Sequence, residues 1–256
     1  VNTFYPAPAN NLHVKKLIDF FGTFEPKPCE LPPSMRFVFL CYTNRCGSNY
    51  VAELIASSGN YNLAGEDLNF DTVLTHSKKH GFESFQTYFA HLVKIKAAAG
   101  VLFIKTAPTH LEILGRSGIL DQIIDSTQFI LIERADKLAQ AISFAIATGT
   151  NKYTSLQIAS KKASDLVFNR QMVTDILNGF AESHRHFYLF FGRNGLVPEM
   201  LVYERFAAQP VEAFANLGTR LCLPAFNAIP DRVRIHRQTD TTNEIWRRQY
   251  LQKVPE

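Results

Sequence analysis

Apolar residues fall along this chain in two alternating forms, short unbroken runs and longer stretches spaced at three and four. The run RFVFLCYT from Arg36 to Thr43 is β-branched and aromatic, and it reaches the polar turn TNRCGSN without interruption. Such a run predicts a strand buried on both faces, as in a parallel sheet. From Ser48 the apolar positions Tyr50, Val51, Leu54 and Ile55 recur at helical spacing and stop at Gly59, so the segment reads as strand, tight loop, helix. Further on, the spacing predicts a helix over Phe82 to Ala99, a second strand VLFIK after Gly100, and a helix over about Leu111 to Asp125. A third strand, FILIE, follows from Phe129 to Glu133, then helix from about Asp136 to Thr148. The stretch from Ser155 to about Phe191 reads as mostly helix, and a fourth strand, MLVY, ends at Tyr203. Helices alternating with short buried strands predict an α/β fold, a central parallel sheet of about four to five strands flanked by helices. Residues 1–34, rich in Pro and Asn around Leu12, Leu17, Phe20 and Phe21, read as an N-terminal arm with one helix and no core. Residues 35–256 read as a single domain.

Composition narrows the class. With 256 residues, 46% hydrophobic and 20% charged, the chain carries enough apolar area for a core and is neither a disordered tail nor a fibre. Lys and Arg number 27 against 23 Asp and Glu, a net charge of +4 with no long run of one sign. That balance suits a small anionic ligand and does not point to nucleic acid. Cys29, Cys41, Cys46 and Cys222 form no CxxC pair and have no nearby His cluster, so neither a metal site nor a disulfide framework is expected, and a reducing, cytoplasmic setting fits. No apolar stretch approaches the roughly 20 residues that span a bilayer, and the N-terminal residues lack a signal-peptide layout. A soluble chain without stable membrane insertion is the expectation.

In parallel α/β sheets, ligands bind beyond the carboxyl ends of the strands, where loops hand over to helix N-termini. The turn TNRCGSN, residues 43–49, lies at such a place. Gly47 lets backbone approach a ligand, successive N–H groups and the helix dipole attract an anion, and Arg45, Ser48 and Asn49 add donors. The alternative is an ordinary βα loop capped by Ser48. A Walker A motif is excluded, because its Lys and second Gly are missing. The letters CGSNY also resemble the nucleophile site of papain-like proteases, with His184 or His186 downstream, which would make a Cys–His hydrolase. A buried strand stands where such proteases carry their oxyanion-hole Gln, and this disfavours that reading. Cys46 at a helix N-terminus is still expected to be fairly reactive.

The third strand runs into ERADKLAQAIS, residues 133–143. Arg134 stands at the strand exit, and Asp136, Gln140 and Ser143 make a polar stripe opposite Leu138, Ile142, Ala145 and Ile146. Arg134 and Ser143 either converge on a second anion or belong to a solvated helix face.

Together with LFIK (102–105), LVYERF (201–206) and RQTDTTNEIWRRQY (237–250), these blocks resemble the PAPS-dependent sulfotransferases of the bacterial trehalose 2-sulfotransferase type, in the family's order. The resemblance implies a P-loop-like α/β fold. Arg45, Cys46, Gly47, Ser48 and Asn49 would hold the 5′-phosphosulfate of PAPS, and Arg134 with Ser143 the 3′-phosphate. Arg237 and Gln238 would fold over the donor, and Lys105 matches a family Lys close to it. Tyr203 and Trp246 are expected in the core.

The implied chemistry is sulfuryl transfer to a carbohydrate or glycolipid hydroxyl, without metal, with Arg45 stabilising the leaving 5′-phosphate. A general base is needed on the acceptor side. The family's Glu falls at Asn69 within AGEDLNF, residues 64–70, and an amide cannot take a proton. The candidates for base are Glu66, Asp67 and His110, with Glu66 and Asp67 also readable as helix-capping acids. A member that binds nucleotide but has lost turnover is the alternative. The implied partners are a small-molecule or glycan acceptor and a second copy of the chain as a homodimer.

Overall fold

A computed structural model of the chain describes residues 3–22, 25–235 and 241–252. Four strands, β1 (Arg36–Cys41), β2 (Val101–Thr106), β3 (Thr127–Glu133) and β4 (Glu199–Val202), form one sheet in the order β2-β1-β3-β4. Every pairing is parallel, with Phe37 opposite Leu102 on one side and Thr127 on the other, and Leu131 opposite Met200. The helices are α1 (Leu12–Phe21), α2 (Ser48–Ser57), α3 (Phe70–His80), α4 (Phe85–Lys96), α5 (Pro108–Arg116) and α6 (Ile119–Ile123). They continue as α7 (Lys137–Thr150), α8 (Arg170–Asn194), α9 (Tyr203–Ala208), α10 (Pro210–Arg220) and α11 (Thr241–Leu251).

Side-chain alternation along each strand builds a core on both faces of the sheet. Phe37, Phe39, Leu102, Ile104, Phe129 and Leu131 pack with residues of α1, α4, α5 and α8. Val38, Leu40, Phe103, Ile130 and Ile132 pack with Val51, Leu54 and Ile55 of α2 and with Phe214 and Leu217 of α10. A third cluster joins α7 to α8 around Ile142, Ala145, Val173 and Phe180, and it includes Trp246 of α11, as expected of a core residue. The α/β class, the parallel sheet and the flanking helices are those read from the apolar pattern.

Several local expectations give way. Val14 and Leu17 of α1 are buried within the first core cluster, so the N-terminal segment does contribute core. Gly118, at φ 76°, splits the helix expected over Leu111 to Asp125 into α5 and α6. Residues 155–169 are loop apart from one 3-10 turn at Ala163–Asp165; Ile158 and Val167 are 95% and 88% exposed, while Ala163, Leu166 and Phe168 pack against the third cluster. The long helix begins instead at Arg170, where the Asn169 side chain accepts from Met172 N at 2.9 Å. β4 ends at Val202, and Tyr203 opens α9. The helix that Glu66 and Asp67 precede is α3, which starts after Asn69 and stops at Gly81, φ 70°. Among the described residues no helix is long and apolar enough to cross a membrane.

Candidate active site

The first loop is shaped by two left-handed residues and held from outside. Cys46 N–H donates to Thr43 O at 3.2 Å, Arg45 sits at φ 62° and Gly47 at φ 97°. Gly47 is itself the N-cap of α2 and has no side chain with which to cap it. Ser48 is buried inside the first turn, so the reading of a loop capped by Ser48 does not hold. A Cβ on Gly47 would collide with the Tyr203 ring. Glycine is therefore required here for Tyr203 to lie against the loop, not only for backbone to approach a ligand. Gln140 of α7, fully buried, donates through Nε2 to Thr43 Oγ1 at 2.9 Å and Asn44 O at 2.7 Å, pinning the loop to the neighbouring strand exit.

Arg45 and Arg134 converge. Arg45 Nε donates to Ser143 Oγ at 3.0 Å, and its other arm reaches Tyr153 O. Arg134 NH1 donates to Arg45 O at 3.5 Å; its Nε lies 3.3 Å from Glu204 Oε1, and the guanidinium stacks 5.1 Å from the centre of the Tyr203 ring. Among the described residues no carboxylate pairs with Arg45. Burial and the Arg134 charge hold its guanidinium below the ordinary arginine value. Asp136 caps α7 through Ala139 N and binds Arg247 NH1 at 2.7 Å, which ties α11 to the same end of the sheet. The polar stripe on α7 thus faces the first loop and not solvent. Arg45, Gly47, Asn49, Arg134, Ser143 and Tyr203 all line one cleft of about 770 Å³.

Deeper in, a chain of hydrogen bonds leads away from this cleft. Lys105, 2% exposed on β2, donates to Asn49 Oδ1 at 2.7 Å and Glu66 Oε1 at 2.5 Å. Its ammonium lies over the Tyr42 ring, 4.6 Å from the centroid. Glu66 Oε2 accepts from Asn69 Nδ2 at 2.9 Å, and Asn69 Oδ1 lies 2.9 Å from His110 Nε2. Ala107 N–H donates to His110 Nδ1 at 3.1 Å, so the proton of the neutral ring sits on Nε2 and is given to Asn69. Burial, aided by His13 and Lys105, keeps His110 far below the ordinary histidine range. With both nitrogens engaged, His110 has no lone pair for a substrate proton, and the sequence-based base candidate becomes a residue that orients Asn69. Burial raises Glu66, but the Lys105 charge and hydrogen bonds from Lys105, Asn69 and Tyr42 outweigh it and hold the carboxyl below the usual carboxylate range. Asp67 is buried, bound by Lys96 Nζ at 2.6 Å, and lines neither this cleft nor the adjoining cavity, so no substrate reaches it.

A second cavity, of about 910 Å³, adjoins the first. The two share Tyr42, Asn44, Glu66, Asn69 and Phe144 as walls. Glu66 therefore stands at the junction, one side toward the paired arginines and the other toward a space lined by α7 and α8.

Of the residues singled out from sequence, Arg45, Gly47, Ser48, Asn49, Glu66, Lys105, Arg134 and Ser143 line the first cleft, and His110 the second cavity. Cys46 lines neither; it is fully buried, and burial pushes its thiol up, the reverse of an activated nucleophile. His184 is engaged with Phe180 O and Glu133, and His186 with Glu182, so no Cys–His pair forms. Arg237 and Gln238 lie outside the described residues. Tyr203, read from sequence as core, is half-buried in the cleft wall, and Arg247 joins the lining. The aromatic ring stacked on Arg134 carries no signature at sequence level beyond its place after the fourth strand.

A parallel α/β sheet whose first loop turns through a left-handed glycine into a helix, with two arginines gathered at adjacent strand exits, is a P-loop-like arrangement. Residues 93–253 match the family described as Stf0 sulphotransferase, and the chain belongs to that family. Two solved structures are similar to it. The sulfotransferase domain from the curacin biosynthetic pathway is 13% identical, covering 86% of this chain and 99% of that one at a TM-score of 0.44. The sulfotransferase domain from the Synechococcus PCC 7002 olefin synthase is 14% identical, covering 90% of this chain and 100% of that one at a TM-score of 0.43. No curated protein matches the sequence.

Proposed function

We propose that the chain transfers the sulfuryl group of PAPS to a hydroxyl of a carbohydrate or glycolipid acceptor. The observation that carries this reading is the convergence of Arg45 and Arg134 in one cleft that ends at the Glu66 carboxylate. Two guanidinium groups held this close repel each other, and among the described residues only Arg134 has a carboxylate partner. A ligand with phosphate or sulfate at two points relieves that repulsion, and PAPS carries such groups at its 5′ and 3′ positions.

In this reading Arg45, Asn49 and the first-loop N–H groups hold the 5′-phosphosulfate, and Arg134 with Ser143 holds the 3′-phosphate. Arg45 exchanges Ser143 Oγ and Tyr153 O for anionic oxygens when the donor enters. Glu66 takes the proton as the acceptor hydroxyl forms its bond to sulfur. The sulfur–oxygen bond to the 5′-phosphate breaks with its electron pair left on phosphate, and Arg45 stabilises that charge. Lys105 keeps Glu66 ionised and bridges it to the first loop through Asn49, while His110 orients Asn69 and thereby the Glu66 carboxylate. A single catalytic domain over residues 35–256, a cytoplasmic location, independence of metal and a homodimer belong to the same proposal through the family resemblance.

The position of Glu66 between the cavities favours turnover over a binding-only member of the family, despite the amide at Asn69. Incubation with PAPS labelled in the sulfuryl group and a panel of glycans and glycolipids tests this. Label is expected in an acceptor; nucleotide binding without transfer to any of them would favour the binding-only reading.

A further inference from the structure

We infer that the acceptor is an uncharged amphiphile, an alcohol whose hydroxyl meets Glu66 while an apolar body fills the cavity between α5 and α8. This rests on the transfer reading above and narrows its acceptor.

The two adjoining spaces differ in kind. Arg45, Lys105, Arg134 and Arg247 all line the first cleft, whereas no Lys or Arg is among the described residues lining the second. Its acidic residues are Glu66, Asp175 and Glu182, and Glu182 is already bound by Arg185 and His186. His110 is held neutral by burial. A phosphorylated, carboxylated or sulfated acceptor would enter this space against like charge with no cation to meet it, and desolvating an unpaired anion is costly. The positive groups sit where the donor's anions belong, and the acceptor side is left without any.

The apolar wall is continuous. Met172, Ile176 and Phe180 follow one another at intervals of four on one face of α8, and Phe144 of α7 faces the same space. Eight residues of helix rise about 12 Å, so this strip is long enough to run beside an extended hydrocarbon segment. Ala107 and Pro108 at the start of α5 add apolar surface to the same cavity. The strip itself carries no hydrogen-bonding side chain, with Gln171, Asp175 and Ser183 standing beside it, so sugar hydroxyls laid along the strip would lose water without replacement while a headgroup could still be held at its edge. A cavity of about 910 Å³ is at the upper end of what small-molecule sites enclose, which leaves room for a headgroup and a chain together.

The test uses methyl, hexyl and octyl glucoside below their micelle concentrations, trehalose, glucose 6-phosphate and glucuronate, with the full chain saturated in adenosine 3′,5′-bisphosphate for binding and in PAPS for turnover. Affinity is expected to rise about fourfold per added methylene until the strip is covered, with no measurable binding of either anionic sugar. Ile176→Asp is expected to erase the chain-length dependence while leaving nucleotide affinity unchanged. Met172→Ser, a milder change on the same strip, reduces it and guards against misfolding in the first variant. Equal affinity for methyl and octyl glucoside, or preference for glucose 6-phosphate, overturns the inference. Sulfation of these sugars without chain-length dependence leaves sulfuryl transfer standing and removes the amphiphile; chain-length-dependent binding without sulfation does the opposite.

Discussion

Arg45 Nε and Ser143 Oγ meet at 3.0 Å although they are 98 residues apart in sequence. The contact joins the loop after β1 to the helix after β3, strands that lie side by side in the sheet. Parallel pairing brings their carboxyl ends to one edge, and Gln140 fixes the distance between loop and helix. The sheet order thus brings into one cleft two sequence blocks that are each ambiguous alone.

Gly47→Ala is expected to be damaging out of proportion to one methyl group. The left-handed backbone costs an L-residue about 1–2 kcal/mol, and the new Cβ would displace the Tyr203 ring as well. A melting temperature lowered by several degrees follows, along with weaker nucleotide binding as Tyr203 leaves Arg134. Adding Tyr203→Ala should recover part of the lost stability without recovering the binding. A Gly47→Ala protein with unchanged melting temperature would mean that the loop is not held in this conformation.

Glu66→Gln should lower kcat by about 10²–10⁴, the range for a removed general base, while nucleotide affinity stays close to that of the parent. The Lys105 pairing holds the carboxyl below its usual range, so the active carboxylate form is present through neutral pH and is lost only as pH falls below the ordinary carboxylate range. A pH–rate profile with its acid limb near pH 7 would assign the base elsewhere.

Acid sensitivity of the fold should trace to His110. Its folded-state pKa lies far below the unfolded value, so on acidification the unfolded chain binds a proton that the folded chain refuses. The stability that His110 withholds at low pH is fully restored above about pH 6.5 and falls below that point, by up to about 1.4 kcal/mol per pH unit. His110→Asn keeps an acceptor for Ala107 N–H and cannot titrate. Urea unfolding at pH 7 and pH 5 should show a smaller difference for this variant than for the parent.

Much of the fold is legible in the apolar pattern because buried parallel strands leave unbroken runs such as Phe37 to Cys41, and helices packed on them leave stripes such as Val51, Leu54 and Ile55. The two arginine blocks are legible because each follows a strand. Residues 155–169 misled because spacing alone does not report burial, and Leu156 and Val167 point outward. The link from Lys105 through Glu66 and Asn69 to His110 was not legible, since its members come from β2, two loop residues and the start of α5 and meet only once the sheet is formed. Asn69 in particular looks like the loss of a base until Glu66 is found hydrogen-bonded beside it.

Thiol chemistry should bypass the first loop. Cys46 is fully buried with its thiol pushed up, whereas Cys222 is exposed. Iodoacetamide at neutral pH is expected to label Cys222, to leave Cys46 unmodified by peptide mass spectrometry, and to leave nucleotide binding intact. Rapid labelling of Cys46 with loss of binding would reopen the cysteine-nucleophile reading.

Calorimetric titration of adenosine 3′,5′-bisphosphate into the parent chain, Arg134→Ala and Arg45→Ala tests the paired-arginine site most directly. Charged hydrogen bonds of about 1.5–3 kcal/mol each imply at least a tenfold loss for Arg45→Ala. Arg134→Ala, which also removes the guanidinium stacked on Tyr203, should abolish measurable binding. Undiminished binding in both variants would contradict the site.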